Sequence, residues 1–225
     1  LRAEVSVSGT ELALRGWYRL APFRWDGRVL RRAEVLGGKT IELAMSMTRG
    51  KLHVAGAEES EELRTRIARM FQLDVDTSEF YELARNSERH AWVIEANFGR
   101  LLCGATLWED AVKIIATTNT MWRQTVRMVE LLVEKCGRGG AFPSQEDVLR
   151  FTEEELQRDC RLGYRAKSIV ALAKRDLTTT ADTTQDRYRF YLSLPGIGPY
   201  GAAHLLAMDG RHDFIAVDTE FRRYV

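Results

Sequence analysis

Apolar and polar residues alternate along the first part of this chain and recur at helical spacing along most of the rest. Ile41, Leu43, Met45 and Met47 are separated by Glu42, Ala44 and Ser46, the period-two pattern of a strand with one buried face. Gly37-Gly38 before this run and Arg49-Gly50 after it are turn signals. Residues 28–36 on one side, and Leu52 with Val54 on the other, therefore read as its antiparallel neighbours, and residues 11–19 are strand-like as well. At 58–71 the period changes, and Leu63, Ile67 and Phe71 fall on one face of a helix. The pattern stays helical from Thr77 almost to the end. Its longest stretch is 106–136, where Val112, Ile115, Trp122, Val126, Val129 and Val133 form an apolar stripe. Thr117-Thr118-Asn119-Thr120 interrupts it with side chains that compete for backbone hydrogen bonds, which predicts two helices meeting at a polar corner. The fold class is α+β. A small antiparallel sheet with a helix occupies 1–85, and a mainly helical domain occupies 86–225.

Gly137, Gly139 and Gly140 end the second of those helices, and Ser144 and the Thr152/Glu155 pair cap two more. Residues 178–185 hold no large apolar side chain and read as a loop. Tyr188, Tyr191 and Leu192 then lead into LPGIGPYGAAHLLAMDGRHDFIAVD, residues 194–218. Pro195 with Gly196 and Gly198 around Ile197 predicts a tight turn, because glycine supplies positive φ without steric cost. Pro199 suits the first turn of the apolar helix that follows. The N–H groups of such a turn can hold a phosphate. A short apolar run, Phe214 to Val217, ends in Asp218.

Composition narrows the class. The 225 residues are 45% hydrophobic and 29% charged, enough for one large or two modest soluble domains. No run approaches the ~20 apolar residues of a membrane helix, and no signal-peptide pattern opens the chain. Cys103, Cys136 and Cys160 are odd in number and widely spaced, as free thiols in a reducing compartment would be. The expectation is a cytoplasmic or a nuclear protein. The net charge is +1, so no global field points to nucleic acid. Locally, residues 161–176 carry Arg161, Arg165, Lys167, Lys174 and Arg175 against Asp176 alone, which suits a phosphate-facing surface or a solvated helix face. Trp17 and Trp25 read as packing residues.

LPGIGPYGAAHLL followed by FIAVD resembles the helix-hairpin-helix, Gly/Pro-rich loop and aspartate signature of the HhH-GPD DNA glycosylase superfamily. The element LGYRAK, residues 162–167, is similar to the one before a helix in its 8-oxoguanine glycosylase branch. The N-terminal pattern resembles the small domain of that branch and of 3-methyladenine glycosylase II. The resemblance implies an enzyme of base-excision repair whose partner is double-stranded DNA containing a damaged base. Asp218 would be catalytic, and Tyr200, His204 and Trp122 would line the base pocket. Gly196, Ile197 and Gly198 would grip phosphate, with a monovalent cation on the hairpin carbonyls. Asn119 would fill the hole left by the extruded nucleotide, Tyr164 would stack or wedge, and Arg165 and Lys167 would meet the DNA strand. The spacing lacks the four-cysteine loop of relatives with an iron–sulfur cluster, so none is expected, nor any required cofactor, metal or second subunit.

Two departures matter. Strand-nicking relatives carry lysine where this chain has Tyr200, and the 3-methyladenine II branch carries an aromatic residue there. A phenol forms no Schiff base, so the expected activity is monofunctional excision of an alkylated purine. Relatives also continue with helices that close the pocket, whereas this sequence stops seven positions after Asp218; the expectation is a truncated chain or a short domain. Simpler readings stand beside these roles: a helix cap for Asp218 and for Asn119, packing for Tyr164, and a buried helix residue in His204. An oxidised-purine glycosylase and a non-catalytic helix-hairpin-helix DNA-binding protein are the alternatives for the whole.

Overall fold

The computed structural model describes residues 2–6, 20–48, 51–96, 98–218 and 221–224. They divide into two units, Leu1–Ala105 and Thr106–Val225. The strand expected at 11–19, Trp17 and the turn at Arg49-Gly50 lie outside the described residues.

The first unit is built on a five-stranded antiparallel sheet in the order β1-β5-β4-β3-β2. The strands are β1 (Arg2–Ser6), β2 (Arg24–Trp25), β3 (Leu30–Leu36), β4 (Lys39–Thr48) and β5 (Lys51–Ala55). Leu30 pairs with Met45 and Met45 with Val54, so the alternation sets one apolar face across three strands. Helix α1 (Glu61–Phe71) covers that face with Leu63, Ile67, Met70 and Phe71, and Trp25 packs at the edge of this core. The helix starts later than the pattern predicts because the Ser60 side chain accepts the Leu63 N–H at 3.2 Å and caps it there. Two short helices follow, α2 (Ser78–Arg85) and α3 (Trp92–Glu95).

This unit runs to Ala105, past the boundary expected after residue 85. The reason is local. Gln72 Oε1 accepts the Leu101 N–H at 2.7 Å, Met70 O accepts that of Cys103 at 2.9 Å, and Arg69 donates to Gly104 O at 2.5 Å. These bonds return the chain to the end of α1 before it leaves the unit.

The second unit is helical: α4 (Leu107–Thr117), α5 (Trp122–Cys136), α6 (Gln145–Val148), α7 (Glu153–Asp159), α8 (Arg165–Ala173), α9 (Thr184–Leu192), α10 (Pro199–Met208) and α11 (Phe221–Tyr224). Helix α4 is buried from Trp108 through Ala116, which makes it the central element, with α5, α8 and α10 packed on it. It ends where the sequence predicts. Thr117 and Thr118 each donate a hydroxyl to the carbonyl three residues back, Ile114 and Ile115, at 2.7 Å, and Asn119 then turns the chain at φ +46°. The loop expected at 178–185 is shorter by two residues, since Thr183 caps α9.

Candidate active site

The hairpin opens with a type II turn. Pro195 and Gly196 are its central residues, Gly196 takes φ +80°, and the Ile197 N–H donates to Leu194 O at 3.1 Å. A side chain at Gly196 would also come within 2.7 Å of Ser168 Cβ on α8. Gly198 differs from the sequence expectation: its φ is −98°, and nothing lies within 4 Å of where its Cβ would be. The Ile197 side chain is buried and its N–H is used inside the turn, so of the three residues expected at phosphate it is the one the fold consumes. The N–H groups of exposed Gly196 and Gly198 donate to nothing in the described structure. Among the described residues, nothing donates a hydrogen bond to the carbonyls of Pro195, Gly196 and Ile197, which fits the monovalent cation implied by the resemblance.

Helix α10 then presents Tyr200 and His204 one turn apart, with ring centroids 5.6 Å apart and planes at 59°. The Tyr200 hydroxyl lies beside the Thr117 side chain at the end of α4. Burial, and after it the Asp218 carboxylate, push the Tyr200 phenol above its ordinary pKa, with the Thr117 contact working the other way. Burial pushes His204 below its ordinary value, partly offset by the charges of Asp110 and Asp218. Asp218, Tyr200 and His204 are thus within electrostatic reach of one another. Phe214 stacks on Tyr188 of α9 at 4.2 Å and 11°, which steadies the segment carrying Asp218. Asp218 itself is exposed, and its carbonyl accepts the Arg222 N–H at 3.2 Å, so it also begins the last helical turn. Trp122 is more open than a pocket wall would be, at 47% exposed at the start of α5.

On the other side of the Thr117–Asn119 corner, Asn119 Nδ2 donates to the Tyr164 hydroxyl at 3.4 Å, and both side chains are exposed. Arg165 corrects the sequence reading. It is 8% exposed, donates to the carbonyls of Thr118 and Asn119, and lies 4.6 Å over the Tyr164 ring. Its guanidinium holds the corner instead of reaching outward. Lys167 is exposed, one residue before the Ser168 that underlies the hairpin. A depression of about 320 Å³ is lined by Asn119, Gln124, Arg127, Arg161, Tyr164 and Arg165 among others. Gln124 and Arg127 were not singled out by the sequence, although their spacing from Thr120 puts them on one face of α5. Asp110 was missed as well, hidden in a stretch that reads as core, and Thr117 reads in the sequence only as part of the polar corner.

Among the described residues, no three His, Cys, Asp or Glu side chains gather as metal ligands, and no helix is long and apolar enough to cross a membrane. A family model, HhH-GPD superfamily base excision DNA repair protein, matches residues 112–225. Among solved structures, a 3-methyladenine DNA-glycosylase from Archaeoglobus fulgidus is 22% identical, with a TM-score of 0.77 over 93% of this chain and 80% of that one. The 8-oxoguanine glycosylase/lyase of Clostridium acetobutylicum in its apo-form is 18% identical, with a TM-score of 0.69 over 89% of this chain and 74% of that one. The same Clostridium acetobutylicum enzyme with double-stranded DNA containing cytosine opposite 8-oxoG gives a TM-score of 0.67 at 20% identity, over 89% and 72%. At these identities the likeness is one of fold. No curated protein sequence matches.

Proposed function

The chain belongs to the HhH-GPD superfamily of base excision DNA repair proteins, and from that premise we propose that it is a monofunctional DNA glycosylase for an alkylated purine. The observation that carries the reading is Tyr200, a phenol beside His204 and within the field of Asp218, at the hairpin position where strand-nicking relatives hold an amine.

Each part of the site then has one task. Extruding a base from the duplex costs a few kcal/mol, and the exposed Asn119–Tyr164 pair enters the gap left behind. The amides of Gly196 and Gly198 grip a phosphate without reading sequence, aided by Lys167. A monovalent cation on the hairpin carbonyls would add positive charge there. Tyr200 and His204 bracket the extruded base, and a positively charged purine gains about 0.5–2 kcal/mol from each cation–π contact. With its pKa raised, Tyr200 stays an uncharged phenol, and with its pKa lowered, His204 favours the neutral imidazole, which does not repel a cation. As the glycosidic bond breaks, positive charge develops on the sugar. Asp218 stabilises that charge and takes a proton from the attacking water.

The test is a panel of duplexes, each with one lesion, assayed for free base and for strand breaks before and after alkali. The expected result is release of an alkylated purine, a strand intact until alkali, and no borohydride-trapped protein–DNA adduct. An adduct with the unmodified protein would replace this reading with a lyase.

A further inference from the structure

Asp110 is 1% exposed, and the chemistry above gives it no task. Its place follows from helix register. Asp110, Ile114 and Thr117 share one face of α4. Thr117 meets the Tyr200 hydroxyl, Ile114 Cγ2 lies 3.0 Å from where a Cβ on Gly201 would be, and the charge of Asp110 acts on His204. These contacts descend α4 as they ascend α10, so the helices run antiparallel, and their close approach at Gly201 fixes the register. The aromatic pair therefore has Thr117 at one end and Asp110 at the other. Asp218 approaches from the segment after α10, and its charge acts on both rings.

Resting on the glycosylase reading, we infer that Asp110 is a specificity-determining residue whose buried charge favours a positively charged purine over a neutral one of similar shape. A carboxylate enclosed by protein acts more strongly than one in water and is little screened by salt. The two acids divide the work in time. A purine alkylated on a ring nitrogen carries positive charge while bound and as the bond begins to break, whereas the sugar gains its positive charge only as the bond breaks. Asp110 therefore acts on the base equally in the bound and the reacting complex, whereas Asp218 acts on charge that develops only in the transition state.

The test compares wild type with Asp110→Asn on duplexes bearing one 7-methylguanine, which is cationic, or one hypoxanthine, which is neutral. In single-turnover assays the enzyme concentration for half-maximal rate with 7-methylguanine should rise about tenfold, while its maximal rate changes by less than about threefold. Neither constant should change for hypoxanthine. Equal losses with both bases, or a loss confined to maximal rate, would overturn the inference. In the free protein, the NMR titration of His204 should move to lower pH in Asp110→Asn, and an unmoved midpoint would also overturn it. Should the variant not fold, wild type alone decides: its preference for 7-methylguanine must persist at high salt, and a preference that collapses there, or one for hypoxanthine, refutes the role. Failure of the parent reading looks different, since wild type would then release no base from any duplex.

Discussion

In the first unit, Arg32 is fully buried on β3, and Glu34, on the same face, is 6% exposed. Arg32 Nη2 lies 2.5 Å from Glu34 Oε2, Arg66 of α1 meets the other carboxylate oxygen, and Arg66 also holds Glu62 at 2.7 Å. In the second unit, α4 buries two adjacent acids at 1% exposure each. Glu109 pairs with Lys113 at 2.5 Å, as Glu34 does with its arginines, while the charge of Asp110 reaches His204. The difference separates two uses of a buried charge. A network closed on itself fixes the packing of the elements that carry it, and on the proposed reading an acid whose charge reaches His204 acts on the base held there.

The largest effect should come from opening the closed network. Glu34→Ala leaves Arg32 buried without that carboxylate and should cost about 3–5 kcal/mol. Urea unfolding measures it, and a loss below about 1 kcal/mol would show that the network matters little to folding. The opposite profile is expected of Asp218→Asn. Base release should fall at least ~100-fold with melting temperature and damaged-duplex affinity retained, because the exposed carboxylate acts in the transition state. Near-normal turnover would remove Asp218 from the mechanism.

The hairpin repeats this contrast on a smaller scale. Gly196→Ala places a side chain at φ +80° and against Ser168, and should cost about 1–3 kcal/mol of stability. Gly198→Ala meets no neighbour at an ordinary φ, so the protein should melt as before. A methyl group on the face offered to phosphate should instead weaken damaged and undamaged duplexes alike, by about tenfold. Weakened binding of lesion-bearing DNA only would place Gly198 in the base pocket.

Local patterns were legible in the sequence, and partners made by folding were not. Ile41 to Met47 announced their strand, Thr117 to Thr120 their corner, and Pro195-Gly196 their turn, because each rests on neighbouring residues. The two hairpin glycines looked equivalent, yet only Gly196 has a positive φ and an α8 side chain against it. Arg165 stood in a basic window and read as a DNA contact, but the carbonyls that hold it belong to a corner formed far earlier in the chain. Asp110 was hidden in a stretch that reads as core, and its effect on His204 depends on where α10 packs. The boundary after Ala105 was invisible for the same cause, since polar bonds to the end of α1 decide it.

The smallest expected effect tests whether the pocket, unlike the closed network, is tuned by protonation. Burial lowers the pKa of His204 in the folded protein, against the opposing charges of Asp110 and Asp218. The unfolded chain therefore binds the His204 proton more tightly than the native one. The stability that neutral His204 contributes is fully present above the ordinary imidazole value of 6.5 and is lost as pH falls from there towards the lowered folded value. His204→Gln removes that proton site. The stability of wild type relative to this variant should decline on going from about pH 7.5 to about pH 5.5 and stay level above about pH 7.5. Denaturant titrations of both proteins at each pH give the difference directly. A difference that grows in favour of wild type on acidification would mean that Asp110 and Asp218 outweigh burial, and that the pocket holds an imidazolium.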